Sequence, residues 1–355
     1  MYQLSERLKN LKPYAPADGD YEMRLDANES AFNLSDDILN EVKTAICDIN
    51  FNRYPDATCE ALRTAFADFY EINAKNVVVG NGSDELIQLI VGCMLCEKDT
   101  VCLLYPDFSM YRIYCENYGR DYEIFDKSND SLTFDINELV NFCKTKKITC
   151  LLLSNPCNPT SLWLNEFEVC RIIRALPDVL VVVDEAYMDF YDSPVLNKTD
   201  EFDNLLILRT ASKCVGLPSL RLGFAVSGNK EIITCLNAIR SPYNVGTLPQ
   251  IIGEIVYKNK FYLRSRRAEC IQDVIYLTRE FKKLQNDFPN IIEEIFDTRT
   301  NFIFIRTNYE NQIFEKLKEK SIIVRCFKRH LRITSGNMNE NTKLLKVFAS
   351  ILSQL

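Results

Sequence analysis

Short apolar runs at 77–79, 101–104, 149–153, 180–183, 205–208 and 224–226 punctuate the middle of this chain. Each is followed by turn residues and then by a longer stretch of helical periodicity. Unbroken apolar strands imply burial on both faces, and their alternation with helices predicts a mostly parallel sheet covered on both sides. The chain is therefore expected to be α/β. After Pro242 the pattern shifts to long charged-apolar helical segments, notably 260–284, then strand-like runs at 301–306 and 322–325 and a last helix near 341–352. That shift predicts a smaller α+β domain. The expected division is a large domain over 36–245, with the N-terminal arm 1–35 and the segment 246–355 together forming the small one.

Length and composition fit this picture. With 355 residues and 47% hydrophobic content the chain can bury a large core. The 42 Lys and Arg against 49 Asp and Glu give a net charge of -7, so no basic field exists to hold nucleic acid or an anionic membrane. The opening MYQLSERLKNLKPY has no apolar signal core, and no later run approaches a bilayer span. A cytoplasmic location is expected. The 14 cysteines, scattered through apolar segments, read as reduced and buried thiols rather than a disulfide framework. Cys93 and Cys96 form the lone C-x-x-C; within LIQLIVGCMLC they read as core positions of one helix face, ahead of a zinc or redox site. One histidine, His330, cannot by itself make a metal site or a Ser-His-Asp triad, so an acid-base role falls most naturally to a lysine.

In open α/β sheets ligands collect at the carboxyl ends of strands. Four such ends carry unusual residues. The first is Gly80-Asn81-Gly82-Ser83-Asp84-Glu85 before an apolar helix, where glycines and free N–H groups suit a phosphate, although an ordinary acid-rich helix start explains Asp84 and Glu85 equally well. The second is Ser154-Asn155-Pro156-Cys157-Asn158-Pro159-Thr160, whose prolines fix an irregular turn and leave Asn155 and Asn158 to project polar side chains. The third, Asp184-Glu185-Ala186-Tyr187, puts an acid at the end of a strand too apolar to be solvated, where it needs a cationic or donor partner. The fourth is Arg209-Thr210-Ala211-Ser212-Lys213, followed by Arg221.

Together these residues suit one cofactor, pyridoxal 5'-phosphate. Lys213 would supply the amine that joins it as a Schiff base. Asp184 would keep its ring nitrogen protonated, and Tyr187 with Asn158 would form a hydrogen-bond pair at its phenolic oxygen. Ser212, Arg221 and the Gly82-Ser83 helix start would hold its phosphate.

The stretches DEAY, LRTASKCVGLPSLRLGF, NPCNPT and NRYPD resemble the fold-type I (class I/II) aminotransferases, and more narrowly their histidinol-phosphate aminotransferase branch. LDANES, GNGSDELIQ, YPDFSMY, RSPYNVGTLPQ, TRTNFIF and LRITSG support this, in the family's order from about Arg24 onward. The resemblance implies roles by position. Lys213 matches the cofactor-linking lysine, Asp184 the ring-nitrogen acid, and Asn158 and Tyr187 the phenolic-oxygen pair. Ser212, Arg221 and Ser83 or Asp84 match the phosphate cup. Phe108 falls where an aromatic ring, usually tyrosine, stacks on the cofactor, and Tyr54 matches a residue that reaches the phosphate of the neighbouring subunit's cofactor, which implies a homodimer with shared sites. Arg332 matches the clamp on the substrate's anion. Arg325 is a second clamp, and Asn28 of LDANES and Asn158 belong to the substrate side.

The implied reaction is ping-pong transfer of an amino group from L-histidinol phosphate to a 2-oxo acid, 2-oxoglutarate, with Lys213 carrying the proton. An aminotransferase for aromatic or other amino acids, and a threonine-phosphate decarboxylase, are the alternatives within the cofactor class. A cofactor-binding regulator would carry a DNA-binding domain, and none fits before Arg24. The chain departs from the family pattern at Cys157 and Ser161, which stand where N-P-N-N-P-T-G has its second asparagine and its glycine, and at Ser335. The segment 326–331 between the two arginines is also shorter than usual.

Overall fold

The computed structural model describes residues 2–4, 9, 11 and 18–355. Its largest element is a seven-stranded sheet in the order β2-β8-β7-β6-β5-β3-β4. The strands are β2 (Val77–Asn81), β3 (Thr100–Tyr105), β4 (Asp121–Asp126), β5 (Cys150–Ser154), β6 (Leu180–Asp184), β7 (Leu205–Thr210) and β8 (Leu222–Val226). The ladders from β4 through β7 are parallel; β8 is antiparallel to both its neighbours. Five of the six apolar runs lie within these strands, and the sixth, 149–153, begins one residue before β5.

The central runs are unbroken because successive side chains enter two different cores. Leu151, Leu153, Val181, Val183, Leu205 and Ile207 pack on one side of the sheet, with Phe66, Ile173 and Phe224. Cys150, Leu152, Val182, Leu206 and Leu208 pack on the other, with Leu86, Ile87 and Tyr111. Full burial of each Val or Leu stabilises the fold by about 1.5–3 kcal/mol, so the sheet is a rigid base for whatever projects from its ends. The edge strand β4 lacks such a run: DYEIFD leaves most side chains partly or fully exposed, and polar residues on a strand with one free edge hide its period.

The second body is an antiparallel sheet, β12-β13-β10-β9, formed by Arg325–Phe327, His330–Thr334, Phe302–Arg306 and Glu294–Ile295. It packs on helix α9 (Lys260–Asp287) and helix α11 (Met338–Leu352) through Leu277, Phe281, Ile303, Ile333, Leu344 and Phe348. Met23 and Leu25 join this core from β1 (Met23–Arg24), which pairs in parallel with β11 (Ile322–Ile323). By contrast Val256 and Tyr257 of helix α8 (Thr247–Lys258), and Leu263 at the start of α9, pack in the core of the large sheet. Tyr187 and Phe302, ring centroids 5.4 Å apart, connect the two bodies.

Cys93 and Cys96 are a correction to the sequence reading. The helix after β2 widens to a π-turn at Ile90–Met94 and Leu95 is extended, so the pair does not share a buried helical face, and both thiols are exposed. All 14 cysteines are free, and nine of them are buried.

Candidate active site

The carboxyl ends of the parallel strands open into a cavity of about 680 Å³ whose far wall comes from the small sheet and from residues 24–29. Because β8 runs antiparallel, Arg221 at its start reaches the same end of the sheet as Lys213 after β7. Of the residues singled out in the sequence, Asn28, Ser83, Asp84, Phe108, Asn158, Asp184, Tyr187, Ser212, Lys213, Arg221, Arg325 and Arg332 line this cavity. Gly82 lies just behind the lining, and Tyr54 is elsewhere: it is 80% exposed and stacked on Tyr243 at 4.5 Å.

Asp184 ends β6 and is 4% exposed. Its Oδ2 accepts from the Tyr111 hydroxyl at 2.7 Å and its Oδ1 from the Ala186 N–H at 3.0 Å. Burial pushes its carboxyl up to about 6 despite those two donors, and the nearby Asp107 and Asp84 push it the same way. Among the described residues no lysine or arginine forms an ion pair with it. A buried carboxyl of this kind keeps its negative charge only where a cation meets it, and otherwise takes up a proton. Tyr111 is the contact that sequence reasoning missed; it lies in YPDFSMY, on helix α4 (Met110–Tyr118), and is wholly buried.

At the same end of the sheet, beside the edge strand β2, Arg221 meets a helix start. Helix α3 (Gly82–Leu89) begins there, its Ser83 facing the cavity. Gly82 has φ +82°, and a Cβ on it would meet Arg221 Nη2 at 2.7 Å, so only glycine allows the guanidinium this close to the helix start. Arg221 donates to Asp84 Oδ2 at 2.8 Å and lies 3.5 Å from Ser212 Oγ, and Tyr114 donates to Asp84 Oδ1 at 3.1 Å. Glu85 instead serves the structure: its Oε2 accepts from the Asn81 N–H at 2.6 Å and from Asn244 at 2.7 Å.

Between these groups Lys213 Nζ donates to the Ala27 carbonyl at 3.0 Å and sits 5.8 Å from the Tyr187 ring centroid. The Tyr187 hydroxyl accepts from Asn28 Nδ2 at 2.8 Å. Asn28 is buried in the left-handed region at φ 55°, a conformation asparagine tolerates, and its Oδ1 accepts from Thr334 Oγ1 at 3.1 Å. Arg332 donates to Asn158 Oδ1 and to the Asp26 carbonyl. The short segment before it is a hairpin: Phe327 pairs with His330 around Lys328 and Arg329, which places Arg325 directly across from Arg332. Asn155 does not project into the cavity; its side chain closes the loop onto the Leu164 backbone. His330 stacks on Phe304 at 4.7 Å, outside the lining, and burial lowers its proton affinity.

The two departures in the NPCNPT turn are accommodated locally. Ser161 takes φ 62° and is wholly buried, and its Oγ donates to the Asp297 carbonyl at 2.9 Å. Cys157 Sγ lies 3.3 Å from the buried ammonium of Lys127, and burial pushes its thiol up.

A buried acid, an arginine with two serines at a helix start, and a lysine in the same cavity narrow the chemistry. The sequence model of class I and II aminotransferases matches residues 21–348. The chain belongs to this family. These aminotransferases depend on pyridoxal 5'-phosphate, and the residues here fit it: Asp184 for the ring nitrogen, Lys213 for the aldehyde carbon, the Ser83–Ser212–Arg221 seat for the phosphate. The histidinol-phosphate aminotransferase of Clostridium novyi (strain NT) is 35% identical over 343 residues, 95% of this chain and 94% of that one. That of Caldanaerobacter subterraneus subsp. tengcongensis is 34% identical over 356 residues, 99% of each. Among solved structures, histidinol-phosphate aminotransferase from Sinorhizobium meliloti in complex with pyridoxal-5'-phosphate superposes with a TM-score of 0.87 at 19% identity, covering 100% of this chain and 98% of that one, which shows the shared fold. Among the described residues no helix is long and apolar enough to cross a membrane.

Proposed function

We propose that this aminotransferase takes L-histidinol phosphate as amino donor and a 2-oxo acid, 2-oxoglutarate, as acceptor. The observation that carries the reading is the far wall of the cavity, where the β12–β13 hairpin sets Arg325 opposite Arg332. A donor ending in phosphate and an acceptor ending in carboxylate must bind there in turn, and the planar guanidinium fork pairs bidentately with both anions. The near full-length identity to named histidinol-phosphate aminotransferases supports the same donor.

When bound, pyridoxal phosphate supplies the electron sink for the carbon that loses its proton. The chain's own residues do the rest. Asp184, held by Tyr111 and the Ala186 N–H, would set a negative charge against the ring nitrogen. Asn158 and Tyr187 present an amide and a hydroxyl to the cofactor's oxygen side, each anchored by a second contact, Asn158 by Arg332 and Tyr187 by Asn28. Arg221, Ser212 and the α3 N-terminus would hold the phosphate. The amine of Lys213 would move the proton from the donor's carbon, and the Ala27 carbonyl accepts a hydrogen bond from its Nζ. Arg332 orients the substrate so that its reacting C–H faces that amine.

Tyr54 and the neighbouring Phe51, 80% and 73% exposed, support a homodimer in which Tyr54 completes the partner's phosphate seat. The division into a large unit over 36–245 and a small one from 1–35 and 246–355, with α8 and the start of α9 packed back on the large sheet, and a cytoplasmic location, belong to the same proposal. The test is to mix purified holoenzyme separately with histidinol phosphate, phenylalanine, glutamate and phosphothreonine while following cofactor absorbance and carbon dioxide. Conversion by histidinol phosphate and glutamate without carbon dioxide is expected. Conversion by phenylalanine but not histidinol phosphate moves the assignment to another amino donor, and carbon dioxide from phosphothreonine moves it to decarboxylation.

A further inference from the structure

Asp26 lines the far wall of the cavity beside Arg24, and no role assigned above uses its side chain. It is 6% exposed. Its Oδ2 lies 3.4 Å from Arg24 Nη2, and its Oδ1 is buried without a hydrogen-bond partner among the described residues. The Arg24 side chain is 38% exposed and is also held by the Gly19 carbonyl at 3.2 Å and near the Tyr21 ring, so this pair is long, one-sided and partly solvated. Such a contact does not balance the desolvation of a buried carboxylate. The backbone carbonyl of the same residue accepts from Arg332, so the orphaned oxygen belongs to a residue in direct contact with the substrate clamp.

We propose that Asp26 is a recognition subsite for an N–H-bearing heteroaromatic ring on the amino donor, its carboxylate accepting a hydrogen bond from that ring. The inference rests on the donor reading given above and deepens it. Three comparisons favour a ring donor over other sources. The cofactor has no hydrogen to offer there, since its ring nitrogen belongs to Asp184 and its other polar groups to Asn158, Tyr187 and the phosphate seat. The substrate's phosphate or carboxylate is repelled by a carboxylate and is drawn instead to Arg325 and Arg332. The substrate amine is occupied at the reacting carbon beside Lys213. An imidazole carries the remaining N–H, and a dicarboxylate such as glutamate carries none, so Asp26 separates the two amino donors that the same pocket must admit. Arg24 acts through Asp26 as a positioning residue, holding Oδ2.

Calorimetry on the holoenzyme tests this without turnover. The probes are 3-(imidazol-4-yl)propyl phosphate, which lacks the reacting amine, and 3-phenylpropyl phosphate, which fills similar space and has no N–H. The unaltered enzyme is expected to bind the imidazolyl probe about tenfold more tightly than the phenyl probe, the worth of one charge-assisted hydrogen bond. Asp26→Ala is expected to erase that ratio, with Asp26→Leu doing the same should the alanine variant fail to hold cofactor. An equal loss for both probes in either variant, or a ratio that survives both, overturns the proposal. The donor reading stands or falls separately on whether unaltered holoenzyme is converted by histidinol phosphate. Conversion together with an unaltered probe ratio in the variants overturns the Asp26 assignment alone.

Discussion

The buried carboxyl of Asp184 makes a thermodynamic prediction that separates the cofactor-free protein from the holoenzyme. An aspartate ordinarily titrates near 3.8; burial lifts this one to about 6 in the folded chain. Because the folded pKa is raised, the folded state holds the proton more tightly, so the group's penalty is absent below the unfolded value, grows between 3.8 and about 6, and is complete above that. The full rise corresponds to about 3 kcal/mol, of which about 1.5 kcal/mol develops between roughly pH 5 and pH 8. Asp184→Asn removes the titration while the Tyr111 hydroxyl, able to rotate, still finds a partner. Urea unfolding of wild-type and Asp184→Asn apoprotein, at one protein concentration, reads the effect directly. The stability of the wild type relative to the variant should fall by about 1–1.5 kcal/mol from pH 5 to pH 8. With pyridoxal phosphate bound the order reverses, since the variant lacks the charge that partners the ring nitrogen, and its cofactor affinity should drop at least about tenfold. A wild type that gains on the variant as pH rises in the apoprotein would refute the placement of an unmatched buried carboxyl at this position.

Other variants follow from single contacts. Tyr111→Phe removes the 2.7 Å donor to Asp184, so the carboxyl should move further above about 6 and the same apoprotein titration should shift upward by about one pH unit. Gly82→Ala forces a side chain into a left-handed position and against Arg221 Nη2; a stability loss of about 1–3 kcal/mol and faster cofactor release on gel filtration are expected. Arg209→Met strips the 2.8 Å partner from the buried Glu185 and the 2.9 Å partner from Asp189, and should cost about 3–5 kcal/mol in denaturant unfolding. Arg332→Lys keeps a charge but loses the fork that reaches both Asn158 and the Asp26 carbonyl, so KM should rise for donor and acceptor alike in steady-state kinetics.

The parts of the fold visible in the sequence are those with one physical cause. The runs at 180–183 and 205–208 are unbroken because both faces of the sheet are covered, and no other arrangement buries them. β4 was hidden because DYEIFD sits at an edge and mixes exposed acids with apolar residues. β13 was hidden for a different reason: HLRIT mixes charged and polar residues with apolar ones although its last four residues are all buried, and its hairpin turn is too short to leave a turn signature. In the site, Lys213, Asp184 and Arg221 each had a bland explanation alone; they were singled out as a set at neighbouring strand ends, and the structure brings all three to one cavity. Tyr111 was not, since a tyrosine on the inner face of a helix looks like core until its hydroxyl is seen 2.7 Å from Asp184. Asp26 was not either, because its place in the cavity depends on β1 pairing with β11, some three hundred residues away in sequence. Cys93 and Cys96 misled because the helical spacing that would bury them is interrupted by a π-turn.

The assignment of Lys213 as the residue that joins the cofactor is tested most directly by reducing the holoenzyme with borohydride, digesting it and mapping the pyridoxyl label by mass spectrometry. The label is expected on Lys213 alone, with none in a Lys213→Ala variant. A label on another lysine, the buried Lys127 beside Cys157 included, contradicts the account.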